Sequence, residues 1–180
     1  RPWVGAVVIQ TNGQRRNVMS HSPKKPNVIC FVTDQLRYNH LGCMGNPEIR
    51  TPNIDALADR GVLFKRYFTN NTVCQPSRAS MLTGQSIRGH GRRYGGTVLT
   101  PSIVTLPEVL ADHGYRTHAA GKLHLHSWMF PSEVNPEELN PKDWPELRPL
   151  WDNRKITALP SPYYGFQTTD FVGGHGYYLW

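Results

Sequence analysis

The chain has 180 residues, enough for one domain with a buried core, and no stretch of it is long and apolar enough to read as a membrane span. Its net charge of +7 comes from Lys and Arg scattered singly or in couples such as Arg15-Arg16, Lys24-Lys25 and Arg92-Arg93. No nucleic-acid-binding motif accompanies them, so the excess reads as a surface that draws in anionic substrates, and nucleic acid and membrane are excluded as partners.

Three cysteines make no disulfide framework and favour a reducing compartment. Val4 to Ile9 is too short for a secretory core, and Met19 to Pro26 is a polar lead into a first strand. Met19 therefore reads as a start, residues 1–26 as a poorly ordered extension, and the protein as cytoplasmic.

Asn27 to Thr33 is a continuous apolar run, the pattern of a central parallel strand buried on both faces, with Cys30 in the core and Asp34-Gln35 at its end. Cys43 falls in an exposed glycine-rich turn from Leu41 to Pro47. Thr51 as N-cap and Pro52 at the first position open a helix that Gly61 ends. Val62 to Phe68 predicts a second strand, and Ser77 to Leu82 a helix stopped by Gly84. Thr105-Leu106-Pro107-Glu108 is a capping box for a helix to His113, terminated by Gly114. Tyr115 to Ala120 predicts a third strand with Gly121-Lys122-Leu123-His124 at its end.

Residues 128–162 lose all periodicity and read as a long loop, which Trp128, Trp144 and Trp151 would pack onto something. A weak helical hint covers Pro136 to Leu139. Gly165 to Val172 is a last strand, followed by Gly173-Gly174-His175-Gly176. Strands alternating with helices indicate an α/β fold with a mainly parallel sheet flanked by helices. In such sheets polar residues just past strand C-termini form the site.

The chemistry concentrates in Cys74-Gln75-Pro76-Ser77-Arg78. A helix start favours negative charge, and Arg78 adds a planar guanidinium suited to an oxyanion. Asp34 is an oxygen donor suited to a hard cation. Lys122 and His124, two apart on a strand, would share one face, as a fixed charge and a proton carrier. Taken singly, each has a plainer reading: Cys74 as a buried cysteine at a helix start, Asp34 as a loop carboxylate, and Lys122 with His124 as a solvated strand end.

Together the motifs resemble the type I sulfatases of the alkaline-phosphatase-like superfamily. Cys-x-Pro-Ser-Arg with Leu82-Thr83-Gly84 matches their nucleophile motif, and Thr51-Pro52-Asn53-Ile54-Asp55-Ala56-Leu57-Ala58 matches a further stretch. So does Leu110-x-x-x-Gly114-Tyr115-x-Thr117 ahead of Gly121-Lys122-x-His124. The resemblance implies hydrolysis of a small-molecule sulfate ester at a formylglycine made from Cys74 by a formylglycine-generating enzyme. The hydrated aldehyde attacks sulfur, the alcohol leaves, and the second hydroxyl expels sulfate.

It also implies a divalent cation, Ca²⁺ first with Mg²⁺ or Mn²⁺ as alternatives, on Asp34, Gln35 and residue 74. Cys74, Arg78, Lys122 and His124 would be catalytic, and Lys122, His124 and His175 would line the substrate. Asp34-Gln35, in place of two aspartates, resembles the branch with choline sulfatases and phosphonate monoester hydrolases, so a phosphonate or phosphodiester substrate stays open. Two departures keep an inactive fragment open as well. The run from His90 to Gly96 lacks the amide residue that the family carries near Gly95. The family is also longer, so residues 27–180 read as the N-terminal part of its catalytic domain, truncated at the C-terminus.

Overall fold

A computed structural model describes residues 25–127, 135, 138–173 and 178–179. The readings for Arg1 to Lys24, for Trp128 and for His175 lie outside these residues, as does half of the Pro136 to Leu139 hint. The chain divides into two compact units, one ending at Thr69 and the other beginning at Asn70.

In the first unit, helix α1 (Pro52–Arg60) forms as the sequence predicts, with proline in its first turn, and Gly61 follows it. Thr51 does not cap it directly. Its hydroxyl donates to Asp55 Oδ1 at 2.8 Å and accepts the Gly42 N–H at 2.8 Å. The same carboxylate oxygen accepts the Cys43 N–H at 2.7 Å, so the turn Gly42–Met44 is tied to the helix start. A Cβ at Gly42 would collide with the Asp55 carboxylate. These hydrogen bonds, that of Thr51 first, hold the Asp55 carboxyl below its ordinary pKa.

The two strands expected in this unit are absent. Asn27 to Thr33 and Val62 to Phe68 carry no strand pairing, and Ile29, Phe31, Val62, Phe64 and Phe68 are exposed. Cys30 is exposed rather than core, and Cys43 is half-buried. The physical reason is that an apolar run becomes a central strand only with neighbours on both sides, and the described residues supply neither run with one. Apolarity is a property of the run; pairing is a property of the whole sheet.

The second unit holds the core. Helix α2 (Cys74–Thr83) starts three residues earlier than the sequence suggests, with Val73 as its N-cap and Gly84 in the left-handed conformation as its C-cap. Pro76 is compatible with this because the first turn has no intrahelical use for its missing N–H. Helix α3 (Ile87–His90) follows, then α4 (Leu106–Asp112) behind the predicted capping box, in which the Thr105 N–H donates to Glu108 Oε2 at 2.6 Å.

Strand β1 (His118–Gly121) pairs in parallel with β2 (Thr168–Gly173), which pairs antiparallel with β3 (Tyr178–Leu179), in the order β1-β2-β3. The fold is mixed α/β, with parallel strands flanked by helices.

Between β1 and β2 the segment read as a long loop supplies much of the core. It carries a short turn Pro141–Asp143 and helix α5 (Arg148–Asp152). Leu147, Leu150, Trp151, Ile156 and Leu159 are buried with Leu99, Leu123, Leu125 and Phe171. The Trp151 ring lies 5.4 Å from that of Phe171, and its indole N–H donates to Pro145 O at 2.9 Å. Short-range periodicity fails here because single apolar residues, not a helical stripe, point inward. No helix among the described residues is long and apolar enough to cross a membrane.

Gly165 joins this segment to α4. Its φ is +82°, and a Cβ there would run into the backbone of Glu108, whereas Gly91, at φ +73°, has open space around it. Gly165→Ala is therefore expected to destabilise by about 3 kcal/mol or more, and Gly91→Ala by only about 1 kcal/mol. Urea unfolding midpoints of the two variants check the difference.

Candidate functional site

The N-terminus of α2 packs against the segment that leaves β1. Cys74 Sγ lies 3.4 Å from His124 Nδ1, Arg78 Nη1 donates to Lys122 O at 2.6 Å, and Gln75 Nε2 donates to His126 O at 2.9 Å. Three residues of one helix, spaced 74, 75 and 78, thus hold the chain from Lys122 to His126. Cys74, Arg78 and Lys122 are half-buried; His124 is 1% exposed.

Lys122 and His124 do not share a strand face. β1 ends at Gly121, and His124 has φ +56°, a left-handed conformation that costs a non-glycine residue about 1–2 kcal/mol. Alternation along a strand therefore gives no guide to its ring, which meets Cys74 through this turn.

Backbone buried outside regular structure needs partners from elsewhere. Here they are side chains. Arg92 Nη1 donates to His124 O at 2.6 Å and Nη2 to His126 O at 3.3 Å. Glu146 Oε1 accepts the Leu125 N–H at 2.9 Å, the His126 N–H at 3.0 Å and the Tyr163 O–H at 2.7 Å. The Leu99 N–H closes the set on Leu125 O at 2.9 Å. Arg92 is 1% exposed and Glu146 2%.

Burial raises the Glu146 carboxyl pKa, against the pull of Tyr163, the two amides and Arg92. Burial likewise lowers that of Arg92, against the pull of Glu146. Hydrogen bonds to a charged group contribute about 1.5–3 kcal/mol each, and taking a carboxylate out of water costs several. For Glu146 the second effect wins.

The same region holds a serine–histidine contact, Ser80 Oγ to His90 Nε2 at 2.8 Å, with both residues buried. The Arg92 N–H donates to His90 Nδ1 at 3.1 Å, so the neutral ring carries its proton on Nε2 and donates it to Ser80. This pair braces the loop and does not activate a nucleophile. Beside it, the Gly96 N–H donates to the amide oxygen of the fully buried Gln75 at 2.6 Å.

Arg92, Glu146, Gln75 and Tyr163 escaped the sequence analysis. Arg92 stood there only as half of a charged couple, and Glu146 sits in the stretch without periodicity, some twenty residues from the amides it binds. Only Gln75 lay inside a motif.

Asp34 and Gln35 are exposed in a bend of the first unit, Gln35 at φ +54°, while Cys74 belongs to the second. Among the described residues no three His, Cys, Asp or Glu side chains gather as a metal site would require.

His126, two residues beyond His124, is half-buried with its ring edge-on to Trp144 at 6.0 Å. Burial first, and the charge of Arg92 with it, lowers its pKa from 6.5 to about 4. The neutral ring's stability is present in full above pH 6.5 and is lost as the pH falls through the window toward about 4. Glu146 works in the opposite sense, its contribution fading as the pH rises through its raised pKa. His126→Phe keeps a ring beside Trp144 and is expected to lose less stability than the parent between pH 6.5 and 4.5, which paired urea titrations at the two pH values measure.

The sequence model of the Sulfatase family matches residues 26–167. The chain is 42% identical over 110 residues to arylsulfatase A of Homo sapiens, covering 57% of this chain and 21% of that protein. It is 39% identical over 103 residues to an arylsulfatase of Clostridium perfringens, covering 57% and 21%. Among solved structures, the phosphonate monoester hydrolase of Agrobacterium radiobacter superposes with a TM-score of 0.50 at 30% identity, over 58% of this chain and 20% of that one. The chain spans about a fifth of the length of these relatives.

Proposed function

Because the chain belongs to the sulfatase family, within the alkaline-phosphatase-like superfamily, we propose that it carries the nucleophile end of a sulfate-ester hydrolase. Residues 27–180 then supply part of the catalytic domain, with residues 1–26 as an extension. The observation that supports this most is that, on the first turns of α2, Cys74 meets the His124 ring and Arg78 the Lys122 carbonyl, with the four residues in the motif order of that family. A formylglycine at position 74 supplies, when hydrated, an oxygen nucleophile toward sulfur and a second hydroxyl by which the aldehyde is restored.

Every other part falls to the chain's own side chains. His124 Nδ1, at hydrogen-bond reach of the position-74 side chain, takes a proton from a group there and returns it. Arg78 is oriented by the Lys122 carbonyl, and its planar guanidinium is suited to oxyanions at the helix start. The Lys122 ammonium holds the ester oxygens. The cation of this reading is Ca²⁺, with Mg²⁺ or Mn²⁺ as alternatives, and Asp34, Gln35 and residue 74 are its proposed ligands. His175 is proposed to line the substrate.

A second reading rests on Asp34-Gln35 and on the likeness to the Agrobacterium hydrolase, whose name states a phosphonate monoester as its substrate. Replacing a carboxylate by an amide lowers the negative charge near the ester. An aryl sulfate and an aryl phosphonate compared on a chain completed to the length of its relatives separate the two.

The first test is mass spectrometry of the tryptic peptide Tyr67 to Arg78 after co-expression with a formylglycine-generating enzyme. An aldehyde at position 74 is expected, and a persistent thiol beside an active maturing enzyme sinks the hydrolase reading. In a completed chain, Arg78→Lys is expected to lower kcat/KM for the aryl ester by roughly 100-fold or more, because a lysine cannot keep the Lys122 carbonyl and an oxyanion together.

A further inference from the structure

His124 meets Cys74 through a backbone conformation that a non-glycine residue leaves unless it is held. Two buried side chains of opposite charge do the holding, from either side in sequence. Arg92 spans the carbonyls of His124 and His126 with two nitrogens of one planar group, and Glu146 gathers the amides of Leu125 and His126 on one oxygen. Around His124 both side chains grip main chain. Return of residue 124 to the extended region would carry the imidazole off Cys74.

We propose that Arg92 and Glu146 are positioning residues for His124, gripping the backbone around it so that its left-handed turn directs Nδ1 onto the position-74 side chain. The inference rests on the reading of Cys74 and His124 as the reacting pair. Buried charges replaced by apolar residues of similar volume often leave a fold as stable or more so, so stability alone gives little reason for a buried arginine and glutamate here. A bidentate donor and a shared acceptor, by contrast, fix direction, which a hydrophobic pair cannot.

The test uses the unmodified 180-residue chain and reads the rate of Cys74 alkylation by iodoacetamide at pH 7.5 from the mass of the Tyr67–Arg78 peptide, with circular dichroism and cooperative melting to establish folding. His124→Asn, a residue that tolerates the left-handed region, is expected to slow Cys74 roughly ten-fold by removing the ring from the thiol. Arg92→Lys, which keeps the charge but cannot bridge two carbonyls, is expected to slow it roughly five-fold, and to add less than about two-fold on top of His124→Asn. Glu146→Asp, with its oxygen withdrawn by one methylene, gives a second cycle with the same expectation. Glu146→Gln keeps an acceptor for the two amides and is expected to stay within about two-fold of the parent.

Effects that multiply in full in the double variants would overturn the proposal, since Arg92 and Glu146 would then act independently of His124. So would parent rates in folded Arg92→Lys and Glu146→Asp, or in folded His124→Asn. Because alkylation reads the thiol itself, absence of the aldehyde would end the hydrolase reading without touching this result.

Discussion

One carboxylate oxygen organises the second unit. Glu146 Oε1 accepts from Leu125, His126 and Tyr163, and so joins the segment leaving β1 to the chain entering β2. The amides it takes belong to backbone that is buried and outside any ladder, where each unsatisfied N–H would cost about 1–3 kcal/mol. With Arg92 on the neighbouring carbonyls, these main-chain groups of an irregular turn find partners beside a core of Leu99, Leu125, Leu147 and Leu150. The raised Glu146 pKa records what that arrangement demands: the charge is held where water cannot reach it.

Placement of the site follows. A strand that ends at Gly121 leaves Lys122 half-buried and delivers His124 to the interior within three residues, and helix α2 lays its first turn across them. Cys74, Gln75 and Arg78 each contact a different residue of that segment, so helix and turn define one another. Rigid support on main chain rather than on side-chain tips suits chemistry that depends on direction as well as distance. The Ser80–His90 contact extends this support into the loop that carries Arg92.

The two units differ in how much of their apolar sequence is satisfied. In the second, eleven of the described side chains form a buried cluster. In the first, Leu41 is the only buried hydrophobic side chain among the described residues, and α1 is held mainly through Asp55, Thr51 and Gly42. Asp34 and Gln35 sit in that unit, in a bend after an apolar run without strand partners.

Local signals in the sequence were enough for α1 behind Thr51-Pro52, for the capping box of α4, for glycine stops at Gly61 and Gly84, and for strands near His118 and Thr168. Each is decided by residues within a few positions of one another. The family was legible for the same reason, since Cys74 to Arg78 and Gly121 to His124 are contiguous motifs. What tertiary structure alone decided was everything that depends on distant partners. The run from Asn27 to Thr33 lacks strand neighbours, His124 turns left-handed instead of alternating, and Glu146 and Arg92, unremarkable in sequence, become the main-chain clamp. Short-range pattern encodes where an element can begin and stop; which buried amide meets which carboxylate is fixed only when the chain closes on itself.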